Sequence, residues 1–289
     1  MPVSVVFGAS GAVGRFLLPR LIDAGHDVVA VSRESRESAH PHVRWIVGAL
    51  PAPVPALPAG DAIFSLGPLD GFVEWYAEST GRARVVALGS QSAVTKDAST
   101  DPRERNVAAR LVDAEARLAN AAAARGAEAT VLRATLIYGA GLDRSLTPIA
   151  RFARRWHVFP SVAGATGLRQ PVHADDLASA CLRLAAMRQL PQSVYAAGGG
   201  ERLAFSTMLA RVRDSLPVAT LPLPVPLAFA RAAGGIARAL PAFRAMSLAA
   251  LDRLREDLVA DNAPAAADFG WTPRDFRPGA GTWTPPPIA

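Results

Sequence analysis

Seven residues near the start of the chain, Gly8-Ala9-Ser10-Gly11-Ala12-Val13-Gly14, constrain its fold most. They follow a β-branched run, Val3-Ser4-Val5-Val6-Phe7, and lead into a helical pattern over Val13–Ala24 that Gly25 ends. A glycine motif is informative in that setting, between a strand and a helix. Gly8 can turn sharply without a Cβ clash, Gly11 lets a pyrophosphate approach the main chain, and Gly14 lets the helix pack close to the strand. Unpaired N–H groups and the positive end of the helix would then face the phosphates. The spacing is G-x-x-G-x-x-G, one residue longer than the dinucleotide fingerprint G-x-G-x-x-G. The expectation is a dinucleotide cradle built from Gly8, Ala9, Ser10, Gly11, Ala12, Val13 and Gly14, with an ordinary glycine-rich turn as the plain alternative.

The alternation continues down the chain. Asp27–Val31, Arg44–Val47, Ala62–Ser65, Arg84–Leu88, Ala129–Ala134 and Ser193–Ala197 read as strands; Gly71–Ser79, Pro102–Arg125 and Asp175–Met187 read as helices. Strands separated by helices imply βαβ units and a parallel sheet, and right-handed crossovers make it doubly wound. The expected fold class is therefore α/β: a doubly wound parallel Rossmann sheet with a smaller, mainly helical C-terminal cap. Residues 1–138, with 174–198 returning to them, form the expected dinucleotide half, and 139–173 and 199–289 the cap. Pro51–Pro58 reads as a loop rather than a linker, because strands continue on both sides. With 289 residues, 50% of them apolar, the chain can bury its core without a covalent or metal staple.

The single cysteine, Cys181, excludes a disulfide framework and a cysteine-based zinc site, and it suits a reducing cytoplasm. No metal site is expected. Met1-Pro2 runs straight into the first strand, so no signal peptide is expected. The longest uncharged apolar stretch, Ser215–Ala230, carries four prolines and falls short of a membrane span, which points to a buried loop or a peripheral surface. The net charge is +6, yet Lys96 is the sole lysine among 31 basic residues and the arginines are scattered. Nucleic-acid binding would need a clustered stripe. The nearest, Arg151-Phe152-Ala153-Arg154-Arg155-Trp156-His157, reads as one solvated helix face.

The residues after the second strand select the dinucleotide. An Asp or Glu there usually takes the ribose hydroxyl of NAD. This chain has Val31-Ser32-Arg33-Glu34-Ser35-Arg36. Arg33 can grip a 2′-phosphate with Ser32 beside it, so NADP (NADPH) is preferred; Glu34 could still serve a ribose, so NAD stays possible. Ser65, Leu66 and Gly67, at the end of the fourth strand, complete the expected cofactor-lining set.

On these residues the chain resembles the short-chain dehydrogenase/reductase superfamily, in its extended or atypical branch, the NAD(P)-dependent epimerase/dehydratase-like proteins. Val85-Val86-Ala87-Leu88-Gly89-Ser90 is similar to the family strand that ends in an active-site Ser or Thr. Leu132-Arg133-Ala134-Thr135-Leu136-Ile137-Tyr138-Gly139 is similar to its L-R-P-x-x-x-Y-G stretch, with Ala134 in place of Pro. Gln170-Pro171-Val172-His173-Ala174-Asp175-Asp176-Leu177-Ala178 resembles its V-H-x-x-D-x-A segment, and Asp261-Asn262 with Gly270-Trp271-Thr272-Pro273 its ending. The resemblance implies an oxidoreductase or epimerase acting on a nucleotide sugar or small carbonyl compound. It also implies a Y-x-x-x-K pair on the long helix, as acid/base and its support. Anchored on Ala114-Glu115, those places fall near Val107 and Leu111, and none of the three tyrosines, Tyr76, Tyr138 and Tyr195, precedes Lys96 by four. The pair is absent.

Other groups are left to carry chemistry. Ser90 and Ser92 stand where the fifth strand should meet a nicotinamide, and either can bond a substrate oxygen or simply form the turn. Lys96 lies just beyond, as a substitute cation or a solvated loop lysine. Tyr138 can reach substrate or sit in the core. His173 has the pKa range of an acid/base, but the resemblance implies that its segment packs cap to sheet. Asp175 and Asp176 read as helix-start residues. One or two of Arg144, Arg151, Arg154, Arg155 and Arg169 could clamp a diphosphate, or all could be solvated. Two function classes stay open: an enzyme with a substituted proton donor, and a non-catalytic NADP-binding redox sensor or assembly protein. Expected partners are a small-molecule substrate and a homodimer mate, with neither nucleic acid nor a membrane span; peripheral membrane association stays open.

Overall fold

The computed structural model describes residues 1–50, 60–226 and 253–288. The Pro51–Pro58 loop and the last four residues of Ser215–Ala230 lie outside them. Six strands and four helices alternate through the first part: β1 Val3–Phe7, α1 Gly14–Asp23, β2 Asp27–Ser32, β3 Val43–Val47, β4 Ala62–Ser65, α2 Leu69–Glu78, β5 Arg84–Ser90, α3 Ser92–Thr95, α4 Pro102–Ala123 and β6 Ala129–Ala134. Then come β7 Ile137–Tyr138, α5 Leu146–Trp156, β8 Val158–Ala163, β9 Leu168–Arg169, β10 Val172–His173, α6 Ala174–Ala186, β11 Val194–Ala197, β12 Leu203–Ala204, α7 Phe205–Asp214 and β13 Leu221–Pro226. A 3-10 turn at Arg253–Arg255, α8 Ala263–Phe269 and a second 3-10 turn at Ala280–Trp283 end the described chain.

The central sheet has seven strands in the order β11-β6-β5-β4-β1-β2-β3, and every neighbouring pair is parallel. The order reverses direction at β1, so the connections after β1 and β4 leave on opposite sides and open a crevice at the strands' carboxyl ends. Along β1 the side chains alternate. Val6 joins one core with Leu17, Leu18, Leu132, Leu177 and Cys181 under α1 and α6. Val5 and Phe7 join the other with Phe72, Val85 and Leu118 under α2 and α4. A sheet covered on both faces explains the near-continuous apolar runs that betrayed its strands.

The cap has its own core of Tyr138, Phe159, Met208, Phe276 and Trp283. Helices α5 and α7 are accompanied there by short two-stranded pairings, β7 with β10, β9 with β12 and β8 with β13. The proline-rich stretch is a surprise in this respect. Its prolines rule out a helix but not an edge strand, since Pro222, Pro224 and Pro226 alternate with residues that keep an N–H. Leu221–Pro226 pairs in parallel with β8 and leaves Leu221 and Leu223 exposed. The basic segment ends α5, where Arg154, Arg155 and Trp156 face solvent and the Arg155 guanidinium sits 5.0 Å above the Trp156 ring. No described helix is long and apolar enough to cross a membrane.

The cap is tied to the sheet where β11 ends. Buried Gln170 donates through Nε2 to the Gly199 carbonyl at 2.9 Å and accepts from the Ala260 amide at 2.8 Å. Asn262 accepts from the Gly198 amide, and Trp271 Nε1 donates to the Gly198 carbonyl at 3.1 Å. A Cβ on Gly199 would stand 1.9 Å from the Pro171 carbonyl oxygen, so this seam closes only over glycine.

Candidate functional site

The glycine turn lies at the carboxyl end of β1, in the crevice. Gly8 has a φ of +76°, and a Cβ there would press on the main chain of Leu66 and Gly67. A Cβ on Gly14 would fall 2.2 Å from the Ala9 carbonyl oxygen, so α1 approaches β1 closely because this residue has no side chain. The Gly11 amide donates to the Gly8 carbonyl at 2.9 Å; those of Ser10, Ala12 and Val13 meet no acceptor among the described residues. Ala9 and Val13 bury their side chains in the core. The turn therefore offers a ligand main-chain N–H at a helix N-terminus, the chemistry that holds a diphosphate. Leu66 and Gly67 border the turn through their backbones, whereas Ser65 is fully buried inside the sheet and its Oγ has no partner among the described residues.

At the end of β2, Ser32 is nearly buried, and its Oγ lies 3.4 Å from Ser10 Oγ. It also accepts from the Glu34 amide at 3.3 Å and from Arg36 Nε at 3.4 Å. Arg33 is exposed and makes no hydrogen bond or ion pair among the described residues. A basic, hydroxyl-lined corner thus sits at the carboxyl end of β2. The residues fit the diphosphate of a dinucleotide, because the amides of Ser10, Ala12 and Val13 are free, among the described residues, to donate to it.

The other side of the crevice, at β5 and β6, is built differently. Ser90 is half-buried at the end of β5 and accepts from the Ser92 amide at 3.2 Å, so its Oγ–H is left to donate elsewhere. Ser92 starts α3. Lys96 lies 3.8 Å from Glu104, which also takes Arg253 at 3.0 Å and the Ser99 hydroxyl at 2.8 Å. A cleft of about 490 Å³ borders Glu104, lined by Thr95, Ser99, Asp101, Arg253 and Glu256 but not by Ser90 or Lys96. On α4, Val107 is 37% exposed. Glu115 faces the sheet, where it chelates Arg133 through both carboxylate oxygens and lies against Gly89. This buried pair, which raises the Arg133 pKa through its hydrogen bonds to Glu115, has no counterpart among the sequence expectations. Arg and Glu 18 positions apart carry no signal until β6 and α4 are laid side by side.

All three tyrosines are at most 2% exposed. Tyr138 packs edge-on against His173 and Phe276 at 5.0 and 4.8 Å, and burial pushes its pKa up to about 12. Its hydroxyl faces the Asp275 carbonyl at 3.5 Å. His173 caps α6, its Nδ1 accepting from the Asp175 amide at 3.1 Å, and burial lowers its pKa. The acceptor role fixes the proton on Nε2, against Gly139, whose φ of +104° and missing side chain make room for the ring. Asp175 and Asp176 bind Arg20 of α1 and Arg274 of the cap, an ionic seam across three parts of the chain. Arg169 is buried and gives its donors to the carbonyls of Leu168, Arg253 and Glu256. Burial depresses its pKa to about 10. Arg151 bonds the Gly141 carbonyl, while Arg144 is exposed.

Residues 4–54 match the model of the NAD dependent epimerase/dehydratase family. No curated protein matches the sequence. Among solved structures, the chain is similar to MoeE5 in complex with UDP-glucuronic acid and NAD, at 21% identity and TM-score 0.68 over 98% of this chain and 97% of that one. It is similar to a UDP-galactose 4-epimerase at 17% identity and TM-score 0.70, again over 98% and 97%. The UDP-glucose 4-epimerase of Thermotoga maritima, solved with UDP-glucose, gives 15% identity and TM-score 0.69 over the same shares. The amino-terminal segment thus matches the NAD dependent epimerase/dehydratase family, and the chain as a whole has the fold of extended short-chain dehydrogenase-type epimerases and dehydratases.

Proposed function

We propose that the protein binds a nicotinamide dinucleotide, NADPH in preference to NADH, and acts as an oxidoreductase or epimerase on a nucleotide sugar or small carbonyl compound. The observation that carries this reading is the glycine turn, with its spare amides, at the strand-order reversal of a seven-stranded parallel sheet. The relatives bound to NAD or UDP-sugars support it. The preference for NADPH rests on Arg33 and on Arg36 beside Ser32. We place the protein in the cytoplasm, as a homodimer, with residues 1–138 and 174–198 holding the nucleotide and 139–173 and 199–289 the substrate.

In this reading the amides of Ser10, Ala12 and Val13 hold the diphosphate, and Arg33 binds the 2′-phosphate. A bound nicotinamide supplies the hydride chemistry. Ser90 donates a hydrogen bond to the substrate oxygen from the end of β5, where its Oγ accepts from the Ser92 amide and keeps its own proton free to donate. Lys96 acts through Glu104, holding the cleft wall, rather than as a proton donor. Tyr138 and His173 keep structural places. A second reading, a non-catalytic NADP-binding sensor or assembly protein, is favoured by Val107 and Leu111 at the places of the missing acid/base pair.

An NADPH-oxidation screen over aldehydes and ketones, joined to chromatography of nucleotide sugars for epimerised product because an epimerase regenerates its cofactor, separates the two when repeated with Ser90→Ala. Turnover that falls at least about tenfold in the variant supports the enzyme and its site, since a positioned proton donor is worth about 10²–10⁴ in rate. Turnover indifferent to Ser90→Ala removes Ser90 from the mechanism. NADPH binding without turnover across the panel favours the sensor.

A further inference from the structure

Arg15 follows the last glycine of the turn, and nothing in the sequence pattern gives it a role. Its guanidinium is held by two main-chain carbonyls: Nε donates to Ser10 at 3.2 Å, and an Nη donates to Pro286, 271 positions away. Arg20, Arg84 and Arg211 each face a carboxylate, so their charge is compensated. Carbonyl acceptors leave the charge of Arg15 whole. Arg36 comes from the other side, to 3.4 Å from Ser32 Oγ, which is itself 3.4 Å from Ser10 Oγ. The two cations are close enough that Arg36, after burial, lowers the Arg15 pKa. The one carboxylate bonded here, Glu34, is 78% exposed. Two neighbouring guanidiniums, Arg15 on the Ser10 carbonyl and Arg36 on the Ser32 hydroxyl, suit a doubly charged anion, and Arg33 follows Ser32 in the chain.

The carbonyl that aims Arg15 arrives by a definite route. Trp283 is buried in the cap with its Nε1 donating to Ser215 Oγ at 2.9 Å, and Thr282 accepts from the Gly141 amide. Ile288 packs against the core under α1. Between them run Pro285, Pro286 and Pro287, whose fixed φ makes the segment a stiff strap rather than a loose tail.

We propose that the strap Thr284–Ile288 presents Arg15 to the 2′-phosphate of NADP, so that docking of the tail, together with Arg33, selects the phosphorylated cofactor. This rests on the NADP reading above. Arg15 is then a binding residue, and the strap a positioning element that spans cap and nucleotide half.

The test is fluorescence titration of NADPH and NADH against the full chain, Arg15→Ala, a chain ending at Thr284, Ile288→Asp, and the truncation combined with Arg15→Ala, each with a thermal melt. Arg15→Ala is expected to weaken NADPH about tenfold and leave NADH unchanged, because the lost bond is to a charged group. Truncation and Ile288→Asp are expected to weaken NADPH by about threefold, and truncation to add nothing once Arg15 is gone, the mark of one shared interaction. A full chain that prefers NADPH but is indifferent to truncation and to Ile288→Asp overturns the strap and leaves the NADP reading standing. Losses that strike NADPH and NADH alike overturn it too, since they report lost stability. A full chain with no preference for NADPH overturns both.

Discussion

The carboxyl edge of the sheet has two ends of unlike construction. At β1 and β2 the crevice offers main-chain groups, a glycine turn with spare amides, and arginines stand at its rim. At β5 and β6 a site would have to be made by side chains, and there the family resemblance puts its Tyr and Lys near Val107 and Leu111. That end retains the half-buried Ser90 hydroxyl and a framework of buried ion pairs, Glu115 with Arg133 and Glu104 with Arg253 and Lys96. A backbone site persists as long as its glycines do, because geometry alone provides it. A side-chain site is lost or rebuilt one residue at a time while the fold stays the same.

That contrast can be broken first at the cradle. Gly11→Val adds a branched side chain whose Cβ already meets the Gly8 carbonyl at 3.0 Å. NADPH binding is expected to fall beyond detection in a titration, with a melt showing that the protein still unfolds cooperatively. Binding like wild type would place the nucleotide elsewhere. At the opposite end, Glu115→Ala strands Arg133 in the protein and is expected to lower unfolding stability by about 3–5 kcal/mol in urea titration, as breaking a buried pair does. A loss under about 1 kcal/mol would mean that the pair behaves like a surface one.

How much of each end was legible in the sequence follows from the same division. The strands Val3–Phe7, Ala62–Ser65 and Ala129–Ala134 fall where their β-branched runs begin and end, and the glycine turn announces itself by spacing. The Glu115–Arg133 pair and the Arg15–Pro286 contact join residues far apart in the chain, so no local pattern holds them. Leu221–Pro226 shows the reverse failure: prolines read as breakers, yet an edge strand tolerates them. The place of Tyr138 follows from the cap's packing, which no local pattern in the chain discloses.

The smaller effects sharpen the comparison. Arg33→Ala is expected to weaken NADPH about tenfold and NADH little, the value of one charge-assisted bond to a phosphate; equal affinities in the wild type would sink the preference. The smallest lies at the seam between the ends. His173 is held neutral, its pKa lowered by burial from 6.5. The unfolded chain therefore binds more protons just below that value, so stability is full above pH 6.5 and lost as pH falls. His173→Asn keeps a capping acceptor without titrating, and the drop in melting temperature between pH 6.5 and lower pH is expected to shrink in it. An unchanged drop would assign that pH dependence to other groups.

The most direct measurement is a crystal structure grown with NADPH. The diphosphate is expected on the amides of Ser10, Ala12 and Val13, the 2′-phosphate among Arg33, Arg36 and Arg15, and the nicotinamide beside Ser90. A nucleotide bound away from the glycine turn, or a turn that stays empty at saturating NADPH, would contradict the account.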